Sequence, residues 1–179
     1  QGGENDDILD GGKGRDFLYG LGGKDILRGA AGNDLLDGGA GVDQLFGGEG
    51  SDLYIVASSA DHTAAEFNDI GTGSGDSDEV RFTSTTAGQT LALFAGDVGI
   101  EQVVIGTGTS TAADSTGTTA LNVNAAVVGN ALRLVGNAGI NSLTGTAYAD
   151  TLDGGAGADR LIGGVGNDIY YGDITGAVV

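Results

Sequence analysis

Aspartate recurs every nine residues at the start of this chain, at Asp7, Asp16, Asp25, Asp34, Asp43 and Asp52, and each one closes a glycine-rich turn. The units read GGENDDILD, GGKGRDFLY, GLGGKDILR, GAAGNDLLD, GGAGVDQLF and GGEGSDLYI: six residues of turn, then three of strand. The unit returns near the other end as GTAYADTLD, GGAGADRLI and GGVGNDIYY, preceded by a weaker copy, GNAGINSLT. A constant period this short, with an apolar residue two places after each aspartate, predicts an all-β solenoid, a parallel β-helix in which a unit buries its apolar face only by stacking on its neighbours.

Two arrays therefore bracket one insert: residues 1–56 and 136–179 carry the repeats, and 57–135 lie between them. Leu9, Leu18, Leu27, Leu36 and Leu45 fill the apolar slot until Tyr54 takes it, and Leu143, Leu152 and Leu161 fill it until Tyr170 does. A bulkier amphipathic residue suits the end of a narrow stack. Residues 57–68, which contain AAEF and no glycine, read as a short helical turn or an irregular cap. From Glu79 onward, runs such as EVRF, TLALF, IEQVVI and ALRLV alternate with Gly, Thr, Ser and Asp, the pattern of short strands in a degenerate solenoid. GTGTSTAADSTGTT, from Gly106 to Thr119, reads as an exposed loop.

Charge and composition narrow the partners. Seven Lys and Arg against 25 Asp and Glu give a formal charge of −18, which argues against nucleic acid and anionic membranes and in favour of cations. Zero cysteines exclude a disulfide framework and thiolate metal sites. No apolar run approaches a membrane span, so a soluble segment is expected. The absence of methionine suggests a processed product or an excised piece of a longer chain. The 37 glycines raise the entropy cost of folding, and one large inward side chain per unit returns little of it. Something besides a core must stabilise the coils.

Calcium is a hard cation that takes six to eight oxygens from carboxylates, carbonyls and water. Glycine reaches φ > 0 without steric cost, so a GGxGxD turn can curl its carbonyls around a point and complete the shell with the aspartate. Without the metal, stacked aspartates repel one another. The sequence thus predicts a metal-free state that is largely disordered or molten, and folding coupled to calcium binding in the millimolar range of extracellular modules.

These residues resemble the repeats-in-toxin (RTX) family, whose nonapeptide GGxGxDxUx is matched at nine positions and weakly at a tenth, over roughly half of the chain. The resemblance implies a right-handed parallel β-roll with two nonapeptides per coil, in which every second turn stacks on the same edge and shares a calcium with the next. On that pattern Asp7 pairs with Asp25, Asp16 with Asp34, Asp25 with Asp43, Asp34 with Asp52, and Asp150 with Asp168. It also implies backbone carbonyl ligands: Gly11, Lys13, Ala30 and Gly32 for the Asp16 and Asp34 site, Gly20, Gly22, Gly39 and Gly41 one unit later, then Gly29, Ala31, Gly48 and Gly50. Asn141 replaces an aspartate, so the site it shares with Asp159 is expected to be weaker or differently coordinated. Leu21, Ala30 and Thr146 replace the second glycine and are expected to strain their turns. Tyr148 replaces the fourth, which makes the Asp150 site the least secure. About five to seven calcium ions are expected in all.

Other constellations are weaker. His62 is the lone histidine and adjoins Asp61, which reads as chance adjacency rather than catalysis. GTGSGD, from Gly71 to Asp76, lacks the context of a phosphate loop and reads as a turn. Asp76, Asp78 and Glu79 form an acidic cluster that is either one more calcium site or a solvated turn. Asp10, Asp37 and Asp153 read as outward surface charge.

The resemblance implies a calcium-dependent structural module of a secreted or cell-surface bacterial protein. Calcium would drive folding and assembly, in a surface layer or adhesin, through self-association, lattice or cell-surface glycan contacts. The alternative is an accessory module of a secreted protease, lipase or polysaccharide epimerase, or of a toxin. No catalytic residue is expected within the segment itself.

Overall fold

The computed structural model describes residues 1–64, 66–69, 75–110 and 112–172, and among these it contains fifteen strands and no α-helix. Successive nonapeptides go to opposite sides of a flattened coil. Odd units supply β1 (Ile8–Lys13), β3 (Ile26–Ala31) and β5 (Gln44–Glu49), which pair in that order. Even units supply β2 (Phe17–Gly23), β4 (Leu35–Gly41) and β6 (Leu53–Val56). These open an eight-stranded sheet that continues through β7 (Glu79–Phe82), β9 (Gln102–Ile105), β11 (Arg133–Val135), β13 (Thr151–Asp153) and β15 (Ile169–Tyr171). Opposite its later half lies a four-stranded sheet of β8 (Thr90–Ala92), β10 (Asn122–Asn124), β12 (Ser142–Thr144) and β14 (Arg160–Ile162). All of these pairings are parallel, as a coiled chain that always advances in one sense requires.

The repeat period sets the register. Phe17 pairs with Leu35 and Ile26 with Gln44, so a residue lies over the one 18 places on. With side chains alternating across each strand, the central residue of every three-residue segment points inward. One file of such residues runs the length of the eight-stranded sheet: Leu18, Leu36, Tyr54, Val80, Val103, Leu134, Leu152 and Tyr170. It faces Leu9, Leu27, Leu45 and Phe67 on one side of the roll, and Leu91, Val123, Leu143 and Leu161 further along. The buried members of these files belong to one apolar core.

Among its described residues the cap after the first array is irregular and contains no helix: a turn in which the Asp61 N–H donates to the Ser58 carbonyl at 3.1 Å leads to a segment that pairs with β5. Leu45 N–H donates to Glu66 O at 2.8 Å and Asn68 N–H to Leu45 O at 2.9 Å, so this segment adds a short strand-like pairing to β5. Ala65 of the AAEF run lies outside the described residues, as do residue 70, residues 71–74 of the expected GTGSGD turn, residue 111, and 173–179 at the end of the second array. The 106–119 loop folds back on the sheet. Arg81, fully buried, donates to the carbonyls of Gly108 and Ser110, both at 2.8 Å, while its Nε donates to Glu79 at 2.6 Å.

The tyrosines mark an edge in a more specific way than a stack end. The first glycine of a turn normally donates its N–H to a strand carbonyl of the next coil, as Gly136 does to Asp153 and Gly145 to Ile162. Beyond β5 the chain departs from the nonapeptide path, and the Tyr54 hydroxyl takes the Gly47 N–H at 2.8 Å instead. Tyr170 does the same for Gly163 at 3.1 Å. Tyr54 is completely buried in mid-roll, with β7 following it, so it ends one array without ending the solenoid.

Candidate metal centre

The glycine turns bring the repeat aspartates into two files, one on each edge of the roll. The Asp7 N–H donates to Asp25 Oδ1 at 2.8 Å and the Asp25 N–H to Asp43 Oδ1 at 2.9 Å. On the other edge Asp16 donates to Asp34 Oδ1 at 2.8 Å and Asp34 to Asp52 Oδ1 at 2.7 Å. Each of the four spacings is 18 residues. One carboxylate oxygen is thus committed to holding the next coil.

The other oxygen is what the stack leaves open. Oδ2 of Asp16, Asp25, Asp34, Asp43 and Asp52 is buried and has no hydrogen-bond partner. It sits against the first glycine of its own turn: a methyl group on Gly20 would collide with Asp25 Oδ2 and the Gly38 carbonyl, and one on Gly29 with Asp34 Oδ2 and the Gly47 carbonyl. A carboxylate oxygen and a carbonyl from the next coil on that edge therefore converge on the same small space. Gly11 likewise faces Asp16 Oδ2. The convergence of Gly38 and Gly47 carbonyls on this space is a feature the motif by itself did not single out.

The other carbonyl-bearing positions stack as follows. Lys13 registers with Ala31, Gly22 with Ala40, and Ala30 with Gly48. The Ala31 carbonyl accepts the Gly14 N–H at 2.8 Å, which uses one of its two lone pairs. Gly39 lies over the Leu21 carbonyl, and Gly32, Gly41 and Gly50 over those of Gly14, Gly23 and Gly32. Two expected strains are present: Leu21 and Ala30 both have φ of 83°, where glycine stands in sister turns. Thr146, in the same slot, avoids that region.

Burial and like charge act together on these carboxyls. Asp34 and Asp43 are raised above the ordinary carboxylate range by burial first, against the N–H groups of Asp16 and Asp25 that hold them down. Asp52 is pushed to about 7, by burial above all, opposed by the Asp34 N–H and reinforced by the charges of Asp69, Asp34 and Asp76. Unit charges one strand spacing apart, about 4.8 Å, repel by roughly 3 kcal/mol at an effective dielectric near 20. A file of oxygens under that strain accepts a divalent cation, and an all-oxygen donor set with flexible carbonyls suits a hard one of calcium's size.

The second array is more self-contained. Asp150 Oδ1 accepts the Leu132 N–H at 2.7 Å and the Thr146 hydroxyl at 2.9 Å, and its Oδ2 accepts the Thr146 N–H at 2.6 Å. Asp150 N–H still reaches Asp168 Oδ1 at 3.0 Å. Asn141 N–H reaches Asp159 Oδ1 at 2.8 Å, but its amide is spent internally: Oδ1 accepts from Asn137, and Nδ2 donates to the Leu121 carbonyl at 2.8 Å. Asn141 Oδ1 faces Gly136 and the Gly154 carbonyl, where the repeat aspartates place Oδ2, but it belongs to a neutral amide and already accepts the Asn137 N–H.

The acidic cluster and the lone histidine both take definite places in the core. Asp78 and Glu79 are buried rather than solvated, because the turn before β7 packs beneath the last nonapeptide. Asp78 Oδ1 accepts the Asp52 N–H at 2.6 Å, and the Asp78 N–H donates to Glu101 at 2.8 Å, so the acidic file continues for two coils of 26 and 23 residues. His62 turns away from Asp61: its Nδ1 lies 3.0 Å from Glu66 and its Nε2 3.0 Å from Asp97, with the ring stacked on Phe67. Burial pushes its pKa down, but hydrogen bonds to Asp97 and Glu66 outweigh that and hold it at about 9.

Parallel coils closed by glycine turns, with files of buried carboxylate oxygens along both edges, define a cation-binding β-roll. Residues 1–36, 19–54 and 135–170 match the RTX calcium-binding nonapeptide repeat, and, with half of the chain so covered, it belongs to that family. Its repeats bind calcium, and proteins that carry them are typically secreted. No curated protein and no solved structure matches the chain.

Proposed function

We propose that calcium sits between stacked turns along each edge of the first array, held by the pairs Asp7 with Asp25, Asp16 with Asp34, Asp25 with Asp43 and Asp34 with Asp52. The turn carbonyls complete each shell. The observation that carries this is the row of five buried Oδ2 atoms without hydrogen-bond partners. When bound, the ion neutralises charge that burial would otherwise make costly, so folding free energy is drawn from metal binding. Asp159 and Asp168 would bind more weakly, since their partners are Asn141, a neutral amide whose Oδ1 accepts the Asn137 N–H, and Asp150, whose Oδ2 accepts the Thr146 N–H.

In this reading the chain is a calcium-dependent structural module of a secreted or cell-surface bacterial protein, with calcium driving both folding and assembly of a surface layer or adhesin. A formal charge of −18 supports the assembly role, because divalent cations can join acidic surfaces that otherwise repel. No catalytic role is assigned to this segment: the single histidine is clamped between two carboxylates in the core.

Calcium titration into chelator-treated protein, followed by far-UV circular dichroism, calorimetry and light scattering with magnesium as control, tests both parts. A cooperative gain of β-structure in the millimolar range, followed by an increase in particle size, is expected. A β-rich spectrum indifferent to chelator would remove the folding role, and constant particle size would remove assembly.

A further inference from the structure

At the end of the first array the site changes its chemistry. In the coils before it, the Oδ2 of a repeat aspartate meets a backbone carbonyl from the next coil on its edge: Gly38 for Asp25 and Gly47 for Asp34. At Gly47, a methyl group would collide with Asp52 Oδ2 and, in the place of that carbonyl, with Asp69 Oδ2. A carboxylate from outside the repeats has replaced a neutral ligand.

Asp78 supplies the second arm. It receives the Asp52 N–H, as Asp34 receives that of Asp16 and Asp52 that of Asp34. One carboxylate oxygen from each of Asp52, Asp69 and Asp78 lies within 4.8 Å of the others, and the three residues are 2%, 5% and 5% exposed. Asp52 Oδ2 is buried with no hydrogen-bond partner. The Tyr54 hydroxyl donates to Asp69 Oδ2 at 2.8 Å and so fixes that carboxylate against the turn. Arg81, three residues beyond Asp78, is engaged by Glu79.

We propose that Asp52, Asp69 and Asp78 form a separate calcium site with three carboxylates, which fastens the cap and the turn before β7 to the last nonapeptide coil. Three hard anionic oxygens select a hard divalent cation over zinc or copper. The higher ligand charge than in the two-carboxylate repeat sites makes this the tightest site of the chain. Its ion ties together three segments that no constant period relates, so calcium reaches the insert as well as the repeats.

The test is calorimetric calcium stoichiometry on the full chain, comparing the parent with Asp69→Asn, and with Asp34→Asn as the repeat-site control. Asp69→Asn is expected to bind one ion fewer, with the tightest phase lost, while Asp34→Asn keeps that phase. An Asp69→Asn protein that binds as many ions as the parent overturns the proposal. Should Asp69→Asn not fold in calcium, an anomalous difference map of parent crystals grown with calcium decides. A peak bounded by the three carboxylates supports the site, and carboxyl groups bonded directly to one another with no peak overturn it. The same map reads the repeat sites separately, so a filled junction beside empty repeats would defeat only the repeat-site reading, and the reverse only this one.

Discussion

Replacing Asp34 with asparagine separates what the carboxylate does for the coils from what it does for the metal. Asp34 belongs to two stacked pairs, through Oδ1 to the Asp16 N–H at 2.8 Å and through its own N–H to Asp52 at 2.7 Å. The amide of Asp34→Asn keeps an oxygen for the Asp16 N–H and converts the buried Oδ2 into an NH2 group without charge. Burial already raises the Asp34 carboxyl, which means that ionised Asp34 works against the metal-free fold, so the variant should be no less β-structured than the parent in chelator. In calcium two sites lose an anionic ligand. At ten times the dissociation constant each lost site forfeits about 1.4 kcal/mol, and at a hundredfold about 2.7, so the pair costs roughly 3 to 5 kcal/mol. Urea unfolding of parent and variant in millimolar calcium measures the difference. An unchanged urea midpoint in saturating calcium would refute the reasoning, and so would an equal loss of β-structure in chelator, since the defect would then lie in packing alone.

Three further outcomes follow from particular residues. Ala30→Gly should stabilise by about 0.5 to 1 kcal/mol in urea, because a residue at φ of 83° carries about 1 to 2 kcal/mol of strain and glycine returns part of that as entropy cost. Gly32→Ala should destabilise by about 3 kcal/mol or more in the same assay, since its φ is 135° and its methyl group would meet the Gly14 carbonyl of the coil below, which is backbone and cannot rotate away. The His62 clamp gives a pH dependence of known sign: with its pKa raised to about 9 from an ordinary 6.5, its contribution is fully present below about pH 6.5 and is lost as pH rises through about 9. The loss of roughly 3 kcal/mol should appear in calcium-saturated unfolding compared at about pH 6 and pH 10, and His62→Gln should flatten that slope.

Much of the roll was legible in the chain because its information is local and repeated. A nine-residue unit that alternates turn and strand sets the inward leucines, the aspartate period and the strain at Leu21 and Ala30, while two units per coil was what the family resemblance implied and the 18-residue register bears it out. The same locality explains the weak copies: Asn141 and Thr146 depart from the motif, and the structure shows the amide and hydroxyl that occupy those carboxylates or their places.

Tertiary structure alone decided what happens where the period fails. Coils of 26 and 23 residues carry the acidic file onward to Asp78 and Glu101, at spacings that no constant repeat announces. Asp69 reaches the Gly47 turn because residues 66–68 pair with β5, and His62 finds Asp97 across 35 residues of sequence. The physical reason is that a repeat specifies its neighbour through backbone register, whereas an irregular segment is positioned by the hydrogen bonds and apolar surface the last repeat leaves unsatisfied. The nonapeptides by themselves determined a calcium-binding roll; the packing of the insert against its open end determined where the roll's acidic edge goes next.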